Sequence, residues 1–148
     1  NKKRNVMDGL VGKRRENYQL NVLGNRLEIC SCSTNKKPLI QITGFFRDGY
    51  CNTGPEDYGL HTVCSIMTEN FLDYSKSIGN DLSTPIPQYN FKGLREGDHW
   101  CLCASRWKQA YENGMAPKII LQSTNIHTLS VVNLDILREY DSTIKREK

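Results

Sequence analysis

Four of the chain's eleven glycines fall within sixteen residues, at Gly44, Gly49, Gly54 and Gly59. Glycine at every fifth position starves a helix or strand of side chains to pack and leaves the backbone free to take positive φ. The segment 44–59 is therefore read as an irregular loop shaped by its backbone. Regular elements have to be sought on either side of it.

Downstream, the signals are local and readable. His61 to Met67 reads as a strand running to Thr68, which caps a helix over 69–78 with Glu69 in its first turn. Met67, Phe71, Tyr74 and Ile78 share one helical face, and Gly79-Asn80 stops it. Residues 80–97 form a long connection. Asp98 to Cys103 reads as a strand, then a helix over 104–113 turns Trp107, Ala110 and Tyr111 inward and ends before Gly114 and Pro117. Lys118–Gln122 and Thr128–Val132 are expected as further strands. Asn133 is expected to cap a last short helix with Leu134 and Leu137 inward. Upstream, Tyr18–Leu23 reads as a short strand stopped at Gly24-Asn25, and residues 30–43 as a loop. The fold class is α+β, with mixed α/β the near alternative: a short sheet with two to three helices.

The 148 residues suit one domain, expected over 18–140, with a basic arm at 1–17 and a tail at 141–148. Hydrophobic content of 38% and charged content of 24% exclude collagen, coiled coil and wholesale disorder. No apolar run approaches the roughly 20 residues of a membrane-spanning helix. Asn1-Lys2-Lys3-Arg4 leads into no apolar stretch, so no secretory signal is read, and the absence of an initiator methionine suggests a trimmed chain. The net charge of +4 is uneven. Residues 1–15 carry six Lys/Arg against one acid, residues 16–137 carry ten against twelve, and residues 138–148 carry four against three. Association with nucleic acid is thus expected only through the arm, and no membrane partner is expected.

The six cysteines include two C-x-C pairs, Cys30/Cys32 and Cys101/Cys103. In a strand over 98–103, His99, Cys101 and Cys103 share a face, with Trp100 and Leu102 on the other. Such donors suit zinc or iron, and the same cysteines also suit an inert core or a disulfide. With no signal and an ordinary core, the thiols are expected to be reduced and the setting cytoplasmic. Cys51 differs, because it sits in the glycine-rich loop, where free backbone N–H groups activate a thiol. Asp57 and His61 follow, and could act as orienter and base in a Cys51–His61–Asp57 set. The plainer reading has Asp57 capping a turn and His61 donating to a carbonyl. Arg47 and Asp48 read as a local pair holding the loop, Trp100 and Trp107 as core, and His127 as a surface residue.

At this point residues carry a resemblance. Thr43-Gly44-Phe45-Phe46-Arg47-Asp48-Gly49 is followed by Cys51-x-Thr53-Gly54-Pro55-Glu56-Asp57-x-Gly59-x-His61-Thr62-Val63-Cys64. Gly79-Asn80-Asp81-Leu82-Ser83-Thr84-Pro85 and Gly93-Leu94-x-x-Gly97-Asp98-x-Trp100-Cys101-Leu102-Cys103-Ala104-x-Arg106-Trp107 continue it. Together they resemble the bacterial domain-of-unknown-function family numbered 2237, from about Asn21 to Leu137. That resemblance implies a single small cytosolic domain and carries over no activity, cofactor or catalytic residue. Tyr50, His99 and Asn125 depart from its pattern, where a cysteine, an arginine and a histidine are usual.

The sequence thus points to one polar Cys/His/Asp-lined site, built from the 44–64 loop and the 98–106 junction. It is expected to bind a metal ion or a small ligand. In a metal version Cys64, Cys101, Cys103 and His61 are the ligands, for zinc or iron, and no cofactor at all is an equal alternative. In an enzyme version Cys51, His61 and Asp57 act, on a ligand held by Arg47, Asp48, Thr53, Trp100 and Arg106. In a binding-only version the Gly44–Gly59 loop holds an anion or phosphate.

Overall fold

Two short strands, buried along their whole middle, are wrapped by a turn-rich chain. In the computed structural model, residues 18–31 and 42–143 are described. The basic arm, Cys32 and residues 144–148 lie outside them. Strand β1 (His61–Ile66) pairs antiparallel with β2 (His99–Cys103) in a two-stranded sheet. Helix α1 spans Glu69–Ser77, α2 Ala104–Glu112 and α3 Leu134–Glu139. The class is α+β, as the sequence predicts.

Capping explains why α1 and α3 start where they do. The Thr68 hydroxyl accepts from the Phe71 N–H at 3.0 Å, and the Asn133 side chain accepts from the Ile136 N–H at 3.2 Å. Met67 and Phe71 are buried from α1's side, while Ile78 stays 36% exposed. Trp107 is fully buried in α2, and its indole N–H donates to the Pro117 carbonyl at 3.1 Å. The rings of Trp107, Tyr111 and Tyr140 pack as a trio, with centroids 5.2–5.8 Å apart.

Three predicted strands give way to other structure. Tyr18–Leu23 contributes only single bridges at Leu20 and Asn21. The Asn21 carboxamide oxygen accepts from Leu23 N and Asn25 N, which closes a turn and competes with a ladder. Ile119 bridges Ser65 and Asp141, but the chain then enters a 3₁₀ turn at Leu121–Ser123. Thr128–Val132 is largely a second such turn, Ile126–Ser130, capped by Asn125 through the His127 N–H.

The core is divided. Its main cluster draws almost wholly on residues 60–140, with Val22 the buried contribution from the N-terminal segment. The second cluster is Cys30, Cys51, Cys64 and Cys101, with Ile120 packed on it. These four are paired as disulfides, Cys30–Cys64 and Cys51–Cys101. This corrects the expectation of reduced thiols. That expectation rested on a domain of this length having core enough without staples. The segment before residue 60 instead brings little apolar surface, and it is fastened to the sheet through sulfur.

Candidate functional site

The loop 44–59 holds its shape through backbone contacts that need glycine. At Gly44 φ is +106°, and a Cβ there would run into the Tyr50 carbonyl oxygen. The Arg47 guanidinium donates to the Gly44 carbonyl. Asp48 accepts from the Tyr50 N–H at 3.1 Å and from the Asn52 amide at 3.0 Å. Arg47 and Asp48 therefore hold the loop through different partners.

Further along, Asp57 is buried and gathers three donors. Its Oδ2 accepts from the Thr53 hydroxyl at 3.0 Å and from the His61 backbone N–H at 2.9 Å. Its Oδ1 lies 2.7 Å from His61 Nδ1. A carboxylate only accepts, so Nδ1 carries the ring proton and Nε2 presents a lone pair. Asp57 closes the turn, as the plainer reading expects, and the ring meets this carboxylate rather than a backbone carbonyl. The imidazole stacks on Phe45 with ring centroids 6.0 Å apart, and it remains 41% exposed.

A bulge decides what His61 faces. Partners run Ile66↔His99, Ser65↔Trp100, Cys64↔Cys101 and Val63↔Leu102, then skip to His61↔Cys103. Thr62 is the extra residue. In plain register Thr62 would stand opposite Cys103, and His61 would fall one residue out of step. The bulge puts His61 across from Cys103, the free cysteine among the described residues. Leu60, with φ of +50°, and the Asp57 turn lead the chain into this geometry. Cys103 is also the N-cap residue of α2, where its side chain makes no capping bond. Its sulfur instead lies 3.2 Å from the Ser105 hydroxyl.

Cys103 and His61 both line an open pocket of about 540 Å³. Trp100 and Phe91 form an apolar wall, in edge contact at 5.7 Å. The Arg47 guanidinium lies 5.2 Å from the Trp100 ring centroid, and Arg106 enters from the first turn of α2. Asp81 lines the same pocket. The Thr84 hydroxyl, then the N–H groups of Ser83 and Thr84 with the Lys76 charge, hold its carboxyl below the usual range.

Most residues named from the sequence converge here, namely Arg47, His61, Trp100, Cys101, Cys103 and Arg106, with Asp57 and Thr53 behind His61. Asp48 and Cys51 do not line the pocket. Cys51 is fully buried and bonded to Cys101, so it has no thiol to offer. The proposed nucleophile is corrected accordingly. The close donor groups among the described residues are Cys30/Cys64/His99 and Cys30/Cys51/Cys101, each within 4.8 Å, and neither contains Cys103 or His61. His127 is exposed, its Nδ1 2.9 Å from the Asn125 carboxamide oxygen.

Sequence reasoning missed Cys30, Phe45, Asp81 and Phe91. The C-x-C pair at Cys30 was a signal for the first. Nothing local marks the others, which reach the site from separate segments.

Among the described residues no helix is long and apolar enough to cross a membrane. A family model described as an uncharacterised protein conserved in bacteria (DUF2237) matches residues 20–141. No curated protein matches the chain.

Proposed function

The chain belongs to this uncharacterised bacterial family, and from that premise we propose that its pocket binds a small anionic ligand and presents the Cys103 thiol to it. The observation that carries the reading is the register of the bulge. It sets His61, oriented by buried Asp57, opposite the free Cys103 at a pocket with two guanidinium groups.

Each residue has a role that its chemistry allows. Arg47 and Arg106 pair with a carboxylate or phosphate group. Trp100 and Phe91 take the flat or apolar part of the ligand. His61 Nε2 accepts the Cys103 proton as the sulfur attacks an electrophilic acyl carbon of the ligand. The C–S bond forms, the leaving group departs with the proton from His61, and water then hydrolyses the thioester. Asp57 acts through His61, as a positioning residue.

Site-resolved alkylation tests it. Iodoacetate carries a charge that iodoacetamide lacks, and ordinary thiols gain nothing from that charge. Cys103 is expected to react faster with iodoacetate, and inorganic phosphate is expected to protect it. His61→Ala should slow both reagents about 100-fold, the low end of the range attributed to one acid–base group. Arg106→Ala should abolish the preference for iodoacetate. Equal or slower reaction with iodoacetate, unaffected by Arg106→Ala, overturns the anion site. A reaction indifferent to His61→Ala overturns the nucleophile role and leaves binding alone.

A further inference from the structure

The four-cysteine cluster on the far side of Cys101 holds more sulfur than a pair of staples requires. The Cys30 sulfur lies within 4.8 Å of those of Cys51 and Cys101, while being bonded to that of Cys64. A ring nitrogen of His99 belongs to the same group as Cys30 and Cys64. All four cysteines are buried, at 0–2% exposure. In a four-thiolate zinc site, bonds of ~2.3 Å place the sulfurs about 3.8 Å apart. Opening the two S–S bonds moves these sulfurs toward that spacing, within a space they already share.

The backbones that carry them are pinned without help from sulfur. The Cys30 N–H donates to the Gly49 carbonyl at 2.8 Å, and the Cys30 carbonyl accepts from His99 Nδ1 at 2.7 Å. The Cys64 N–H donates to the Thr124 hydroxyl at 3.2 Å, and the Cys101 N–H to the Thr43 hydroxyl at 2.8 Å. The Cys51 carbonyl accepts from the Asn125 amide at 3.0 Å. Breaking both disulfides thus leaves four held thiols in one buried cluster, with Cys30 common to both close donor groups.

We infer that Cys30, Cys51, Cys64 and Cys101 bind one zinc ion when reduced, and that the two disulfides are the oxidised, metal-free state of the same site. The change is driven by a peroxide and reversed by a dithiol. Each pair of thiolates gives two electrons to one peroxide. Its O–O bond breaks, one S–S bond forms, and two protons are taken up to release two waters. Two peroxides per chain therefore form both disulfides and free the zinc ion. Cys101 also lines the pocket, which gives either reagent a route to sulfur. This inference does not depend on the role proposed for Cys103.

The test uses the full chain reduced with a phosphine in the absence of air and titrated with cobalt(II). One equivalent is expected to bind, with thiolate charge-transfer absorption and the visible bands of a tetrahedral ion, and zinc should displace it. Two equivalents of hydrogen peroxide should then release the metal. Cys30→Ser should lose this binding and Cys103→Ser should keep it. If Cys30→Ser fails to fold, the comparison of reduced and oxidised wild-type chain decides. The inference is overturned by a reduced chain that takes up no cobalt, by equal uptake in the oxidised chain, or by loss of uptake in Cys103→Ser. A reduced chain that unfolds and is not refolded by zinc also overturns it.

Discussion

The Asp57 carboxylate holds His61 at two places, the ring Nδ1 at 2.7 Å and the backbone N–H at 2.9 Å. One buried side chain thereby ends a turn, starts β1 and sets the direction of an imidazole. Removing it should therefore act on stability and reactivity together. Asp57→Ala is expected to lower stability by about 1–3 kcal/mol, the cost of leaving buried donors without an acceptor. Asp57→Asn keeps the shape but brings an NH₂ group against one of those donors. It should slow Cys103 alkylation to the level of His61→Ala while losing less stability than the alanine variant. Urea unfolding and peptide-resolved labelling measure the two effects separately.

Gly59 leaves room for the ring. A Cβ at that position would approach His61 Cε1 to 2.8 Å, too close for the imidazole to stay in place against Asp57. Gly59→Ala is expected to displace the ring, to reduce Cys103 labelling several-fold and to shift the His61 ring resonances in NMR. Unchanged His61 resonances would show that the loop yields and the ring does not.

Asp81 offers a pH-dependent signal in the pocket lining. The Thr84 hydroxyl is the largest cause of its lowered carboxyl pKa, and the N–H groups of Ser83 and Thr84 add to it. A group with a depressed folded pKa contributes stability above its unfolded value near 3.8, and loses it as pH falls through the lower folded value. Thr84→Ala should move the Asp81 midpoint upward, toward the ordinary aspartate range, in a carboxyl-carbon NMR titration. No movement would mean the backbone N–H groups hold the charge alone.

Thr68 makes the cap that starts α1, accepting from the Phe71 N–H. Thr68→Ala should cost about 1 kcal/mol in urea unfolding, and Thr68→Ser should restore most of it. Equal loss in both variants would place the effect in the methyl group's packing.

The disulfides close loops of 34 and 50 residues. Reduction with a chelator present is expected to lower stability by roughly 3–4 kcal/mol per bridge, if chain entropy dominates. Amide exchange should rise most in residues 18–59, whose share of the main core is small, and less in β1 and β2. Uniform loss of protection would show that the sheet depends on the bridges as much as the loops do.

What could be read from the chain were the features written in neighbouring residues. Thr68 before Glu69, Asn133 before Leu134, and Gly79 and Gly114 beyond helix ends place α1, α2 and α3 within a residue or two. The glycine series marked the loop, and Asp57 four residues before His61 marked a pair that the structure joins. Local reading failed at Tyr18–Leu23, Lys118–Gln122 and Thr128–Val132. These segments carry strand-like side chains, but only a partner strand could have made them strands.

Sequence alone determined where helices start, where the backbone must turn and where the Asp57–His61 pair lies, because caps, positive φ and i,i+4 contacts depend on groups a few residues apart. Only the tertiary structure decided the bulge at Thr62, and with it Cys103 rather than Ala104 opposite His61. It also decided that Cys51 pairs with Cys101 and Cys30 with Cys64. Register and sulfur pairing join residues 33 to 50 positions apart, and their geometry exists only after the intervening chain has packed.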